Sequence, residues 1–172
     1  GCGGSVGVGG TGAYASGPVD GFGSIFVGGI EFDDTTASVI DDDGAPSTRA
    51  ALRLGMGTEV DSGALGGTAD APTATATSIR MVAEVVGLAH AIDAANGTLT
   101  VFDQAVKVDA LTAFDAALPN GLASVADGAA LRVHGALDAA VGVYKATRIE
   151  PAAALTAYKV RGTVKDLDTA MR

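Results

Sequence analysis

Tryptophan is absent from this sequence, and aromatic residues make up only 5% of its 172 positions. The apolar content, 48%, is drawn mostly from Ala and Val, which bury little area each. At about 25 cal/mol per Å² of buried apolar surface, such a core stabilises weakly per residue, so stacking of repeats or contact with a partner would add to stability. Cysteine occurs once, as Cys2. A lone Cys excludes an internal disulfide, and the lack of any paired Cys excludes a zinc knuckle and a c-type haem attachment. Basic residues are few, 11 against 20 acidic, for a formal net charge of −9. Phosphate binding needs a Lys/Arg surplus, so a nucleic-acid partner is excluded, and contact with anionic lipid is disfavoured. No stretch reaches the roughly 18 apolar residues that a transmembrane helix needs.

What the chain has in plenty is glycine, 25 residues, well above the average usage of about 7%. That favours many tight turns between short strands. The chain also repeats itself. The segment 23–27, Gly-Ser-Ile-Phe-Val, matches 97–101, Gly-Thr-Leu-Thr-Val. A short turn follows each, Gly28-Gly29 in one and the region from Phe102 to Ala105 in the other. Then 30–33, Ile-Glu-Phe-Asp, matches 106–109, Val-Lys-Val-Asp. Apolar and polar residues alternating about a turn predict a β-hairpin in each copy. Further on, Thr36-Ala37-Ser38 aligns with Thr112-Ala113-Phe114. Gly55, Thr58, Val60 and Ser62 align with Gly128, Leu131, Val133 and Gly135, and 76–80 with 146–150. A third match, 160–168 with 85–93, ends at Arg172 before its hairpin begins.

The spacing predicts five strands per copy, near 17–21, 24–27, 30–33, 56–61 and 74–81 in the first and 84–92, 97–102, 105–110, 129–135 and 142–149 in the second. A less regular stretch, with one helical turn at Ala50-Ala51-Leu52 or Leu122-Ala123, separates strands three and four. The expected fold is all-β: two tandem five-stranded small barrels of the oligonucleotide/oligosaccharide-binding (OB-like) type, or open sandwiches, followed by the first strand of a third repeat. The units run 16–83 and 84–155, after a Gly-rich tether at 1–15 and before an incomplete repeat at 156–172. The expected cores hold Ile25, Val27, Ile30, Phe32, Val60 and Ile79 in one unit, and Leu99, Val101, Val106, Val108, Leu131, Val133 and Ile149 in the other.

The opening Gly1-Cys2-Gly3-Gly4-Ser5 resembles the end of a bacterial lipoprotein signal, in which a small residue precedes the lipidated Cys. That resemblance makes Cys2 the candidate lipid-anchor site. Over residues 16–172 the chain resembles a widespread family of proteobacterial secreted repeats, the catalogued domain of unknown function number five-six-six-six. The resemblance rests on 16–25, Ile30-Glu31-Phe32-Asp33, Asp41-Asp42-Asp43-Gly44, 52–56 and 146–150. It implies an exported protein, either an outer-membrane or periplasmic lipoprotein or an extracellular one. It implies no reaction and no catalytic residue.

The candidate chemistry is sparse. Asp33, Asp34, Asp41, Asp42 and Asp43 form an acidic cluster that could offer oxygens to Ca²⁺, although no EF-hand glutamate follows, and Asp-Gly equally makes a solvated turn. His90 and His134 fall in strands of the second copy with no third metal ligand in sight, which predicts two partly exposed strand histidines. No cofactor is otherwise expected, and no nucleophile has a base beside it. The expected role is therefore a non-enzymatic structural or interaction module, a subunit of a cell-surface or extracellular assembly. A ligand-binding module for a divalent cation or a glycan is the alternative. Alternation at Tyr158, Val160, Val164 and Leu167 predicts a first strand without its own unit. Such a strand is disordered, adds to the edge of the second copy, or is donated to another chain in self-assembly; donation is the outcome favoured.

Overall fold

The computed structural model describes residues 6–9, 12–19, 24–153 and 158–161. The chain is all-β. Its only helical turns among the described residues are 3-10 turns at Arg49–Ala51 and Gly121–Ser124, in the two irregular stretches where a helical turn is expected. In chain order the strands are β1 (Val6–Gly9), β2 (Gly12–Pro18), β3 (Ile25–Val27), β4 (Ile30–Asp33), β5 (Ser38–Ile40), β6 (Pro46–Ser47), β7 (Gly57–Ser62), β8 (Gly66–Gly67), β9 (Pro72–Met81), β10 (Val85–Asp93), β11 (Thr98–Val101), β12 (Gln104–Lys107), β13 (Ala113–Phe114), β14 (Ala130–Asp138), β15 (Val143–Pro151) and β16 (Lys159–Val160). The first nine form one sheet and the remaining seven a second.

The second sheet closes on itself. β11 pairs β12, β12 pairs β15, β15 pairs β14 and β14 pairs β10. β10 then returns to β11 with Ala89 opposite Val101, completing a five-strand barrel. Every pairing in the ring is antiparallel except β12 with β15, which is parallel. The hairpin turn at Phe102-Asp103 has φ of 47° and 58°. In the first sheet the corresponding turn, Gly28-Gly29, has φ of 59° and 80°. Positive φ at both turn positions matches the right-handed strand twist, and glycine adopts it without Cβ strain.

The order β2-β7-β9-β4-β3 in the first sheet follows the same pairing. Val60 lies opposite Ile79 as Val133 lies opposite Ile149, and a bulge follows Asp61 just as one follows His134. Two backbone bonds connect Val19 with Gly55 and Met56, and the same two connect Ala89 with Gly128 and Ala129. Each sheet folds over its own apolar cluster. All the expected core residues are buried except Val108. It follows the end of β12 and packs half-buried at the cluster's margin.

Four expectations need correction. The match of 30–33 with 106–109 is off by two: Ile30 lies opposite Val27 as Gln104 lies opposite Val101, so Phe32 corresponds to Val106. The first strand of the first unit does not start at 17; it is β2, Gly12–Pro18, which begins in the stretch read as a tether. There Ala13 and Ala15 point inward and are buried, and alanine carries too weak an apolar signal to mark a strand. β1, also inside 1–15, pairs with β2. The alignment of Thr36-Ala37-Ser38 with Thr112-Ala113-Phe114 is off by one. Ser38 lies opposite Ser78 and Ala113 opposite Arg148, so Val39 and Phe114 correspond, each beside the buried Ile of its unit. Finally, His134 is not a partly exposed strand histidine, as the seam between the two sheets shows.

Candidate functional site

The barrel formed by the second sheet rests on the first sheet through a polar seam. Its centre is His134, on β14 just before the bulge and 1% exposed. The Gly57 N–H donates to His134 Nδ1 at 3.0 Å. Nε2 lies 3.3 Å from Glu150 Oε1. The Val82 carbonyl oxygen also lies 3.1 Å from Nδ1. Glu150 accepts a second bond, from Arg148 Nε at 3.0 Å. Burial pushes the Glu150 carboxyl up, but the hydrogen bonds of His134 and Arg148 and the Arg148 charge outweigh it and hold the group below its ordinary value.

Arg148, itself buried, reaches across to the Leu54 carbonyl at 3.3 Å and, within its own unit, pairs with Asp115 at 3.3 Å. Thr147 Oγ1 donates to the Gly55 carbonyl at 2.6 Å. Gly55 and Gly57 let the backbones meet. A Cβ on Gly55 would fall 2.3 Å from the Thr147 oxygen, and one on Gly57 would fall 2.4 Å from the Val82 oxygen. Among the described residues, every buried side-chain N or O atom has a partner. That is the condition under which burying polar groups is tolerable.

The acidic cluster is divided between two places. Asp33 accepts from both Thr35 N–H and Thr35 Oγ1, and these bonds hold its carboxyl below the usual range. Asp34 is buried and paired with Arg49 at 3.0 Å. The two line an open cleft of about 400 Å³ with Glu31, Thr35 and Thr73. Asp41 caps its own turn, accepting from Asp43 N–H and Ala45 N–H, which is how Asp orders an Asp-Gly loop. Asp42 and Asp43 instead face the second unit, where Arg132 Nε bonds Asp42 at 3.0 Å. Among the described residues no three His, Cys, Asp or Glu side chains converge to hold a metal ion. His90 pairs on the surface with Asp127 at 3.1 Å.

β16 completes the seam. Val160 lies opposite Val85 and Lys159 opposite Val86, antiparallel on the edge of β10, and Arg161 N–H donates to the Glu84 carbonyl. The expected candidate strand thus lies, as far as it is described, on the edge of the second unit. Tyr158 stacks on Phe102, ring centroids 4.9 Å apart. Tyr144 OH donates to the Arg161 carbonyl. Lys159 Nζ bonds Asp43 at 2.8 Å and the Asp42 carbonyl, while Arg161 pairs with Glu59 at 3.3 Å and Glu84 at 3.7 Å. Burial alone would lower the Lys159 ammonium's pKa, but Asp43 and Asp42 raise it overall. Burial raises Glu84, and Arg161 offsets only part of the effect. A cleft of about 500 Å³ lies beside the strap, lined by Asp42, Glu59, Arg80, Tyr158, Lys159 and Arg161 among others.

Cys2, Val164 and Leu167 lie outside the described residues. Sequence reasoning missed His134, Arg148 and the cations of β16 as partners of the first sheet, and Glu150 as the carboxylate that binds His134 and Arg148. The clue available was that copy two carries His134, Arg148 and Glu150 where copy one carries Asp61, Ser78 and Arg80. No described helix is long and apolar enough to cross a membrane.

No curated protein and no solved structure matches the chain. Residues 86–150, which take in the whole ring of the second barrel except the outermost residue of β10 and of β15, match the family model described as Domain of unknown function (DUF5666).

Proposed function

We propose that this chain is a non-enzymatic structural module: two tandem copies of one OB-like barrel, held as a rigid interaction unit of an exported bacterial protein. The observation that carries the reading is the common pairing register of the two sheets, down to the bulge after Asp61 and after His134. Numbered within a unit, the closed ring runs first, second, third, fifth, fourth and back to first, with third and fifth parallel. That is the order of an OB-type barrel. The first sheet has the same order among its described residues. Repeats stacked through a polar seam make a stiff element rather than two beads on a string.

Export rests on the family resemblance and on Cys2 in a lipoprotein-like setting. Metabolic labelling with palmitate should mark the wild type and spare Cys2→Ser. The structural reading is tested by backbone amide relaxation. Both units should report one common rotational correlation time. Two clearly different times, one for each unit, would sink it.

A further inference from the structure

The edge of β10 is a built site for an extended peptide. Val85 and Val86 present backbone groups to β16, and strand addition of this kind takes its affinity from the main chain and its specificity from side-chain seats. Three such seats surround the slot. Phe102 offers a ring face to Tyr158. Asp42 and Asp43 receive Lys159, and Glu59 and Glu84 receive Arg161. The pattern read by the slot is therefore aromatic, Lys, aliphatic, Arg, running antiparallel to β10. The strand that fills it is two residues long and half exposed, with Val160 at 42%. Two residues of pairing is little to hold an edge, so the charge seats carry much of the docking.

The first sheet shows the same slot on its own first strand. There β1 lies beside β2 with Val6 opposite Ala15. Ala15 corresponds to Val85, since the former lies opposite Val60 and the latter opposite Val133. That slot lacks two of the seats: Tyr14 stands where the second unit has the charge of Glu84, and Gly28 where it has the ring of Phe102. Filling the slot is thus common to both units, whereas selection through those two seats belongs to the second alone.

We infer that the β10 edge binds residues 158–161 of a second copy of this chain whenever its own strap is released, linking copies by strand exchange. The inference rests on the interaction-module reading, and it commits to this occupant because that segment is the one whose charges and ring fit the seats. The exchange makes and breaks only non-covalent contacts, the same set in cis and in trans.

Two full-length variants test it. Lys159→Glu with Arg161→Glu disables the strap and leaves the slot intact. Asp43→Lys with Glu59→Lys disables the slot and leaves the strap intact. Each alone should be monomeric by sedimentation, and mixing them should give a one-to-one heterodimer. A synthetic peptide covering 157–162 should bind the strap-disabled variant and not the wild type, whose slot is filled. Adding Phe102→Ala to that variant should weaken the peptide several-fold. If reversed charges prevent folding, judged by circular dichroism, Lys159→Gln with Arg161→Gln serves as the acceptor in both assays. No heterodimer, or a peptide that ignores the open slot or binds the wild type equally, overturns the inference. Those results would leave the common tumbling of the two units untouched, so a failure here is distinguishable from failure of the structural reading.

Discussion

Gly55 and Gly128 occupy corresponding places in the two units, with φ of 83° and 81°. Each donates its N–H to the equivalent carbonyl, that of Val19 or Ala89. Their surroundings differ. A Cβ on Gly55 would strike the Thr147 oxygen of the second barrel, whereas a Cβ on Gly128 would meet nothing within 4 Å. The facing surface shows the same contrast. His134, Arg148 and Glu150 are engaged in the seam, while at the matching positions of the first sheet Ser78 bonds Asp61 at 3.1 Å on an exposed face. One backbone plan thus serves two environments. The fold asks for glycine at both turns, but only the neighbour asks for the missing Cβ at Gly55.

The largest effect should come from breaking the seam's buried charges. Removing one partner of a buried pair typically costs about 3–5 kcal/mol, so Arg148→Ala should lose that order of stability in urea unfolding. Its counterpart Ser78→Ala, on the open face, should stay within about 0.5 kcal/mol. Equal losses would mean that the buried contacts of Arg148, its pairs with Asp115 and Glu150 and its bond to Leu54 across the seam, contribute no more than the surface. Next comes the glycine pair. Left-handed backbone costs a Cβ-bearing residue about 1–2 kcal/mol, a penalty that Gly55→Ala and Gly128→Ala share. The clash with Thr147 should add about 1–3 kcal/mol to Gly55→Ala alone, the usual cost of overpacking. The difference between the two unfolding free energies isolates the contact between units.

A smaller effect should appear with pH. Glu150 is held below its ordinary value of 4.5, so its contribution is fully present above that pH. It is lost as the pH falls through the depressed folded value. Glu84 is raised and works the other way, favouring the fold while protonated and losing that contribution as pH rises through its raised value. Urea midpoints measured from about pH 3 to 6, where carboxylates titrate, should therefore fall less steeply toward acid for Glu150→Gln than for the wild type. Parallel curves would remove Glu150 from the account. The smallest effect, none, is expected from Ca²⁺. Asp34, Asp42 and Asp43 already have cationic partners, so the Tm should be the same with chelator and with excess Ca²⁺. A rise with Ca²⁺ would show that the carboxylates prefer the ion to Arg49 or Lys159.

The hairpins and both cores were legible in the sequence because strand side chains alternate and Ile25, Phe32, Leu99 and Val133 sit on the inward beat. β2 was legible only in part, since its inward residues are Ala13 and Ala15 beside a Gly-rich stretch that reads as linker. Val39 was displaced by one because the loops before β5 and β13 differ in length, and a short strand offers no alternation to correct the register. The seam was not legible. His134 and Gly57 lie 77 positions apart, and a histidine in a strand carries no mark of which surface it will meet. The division of the acidic cluster had the same cause: its partners, Arg132 and Lys159, arrive from another unit.

The bond between Asp42 and Lys159 spans 117 residues of chain, which gives the molecule an order of completion. A ribosome delivers residue 42 long before residue 159, and domains tend to fold as they emerge. The first sheet can close over its cluster, and the second barrel over its own, before the strap exists. The last ion pairs to form then lock two structures already made and close a loop of 117 residues. Contacts of such high sequence separation form late because their loop entropy must be met first. A chain interrupted between the end of β15 at Pro151 and Lys159 would carry two folded units and an uncovered β10 edge, so the strap also reports that synthesis has reached it.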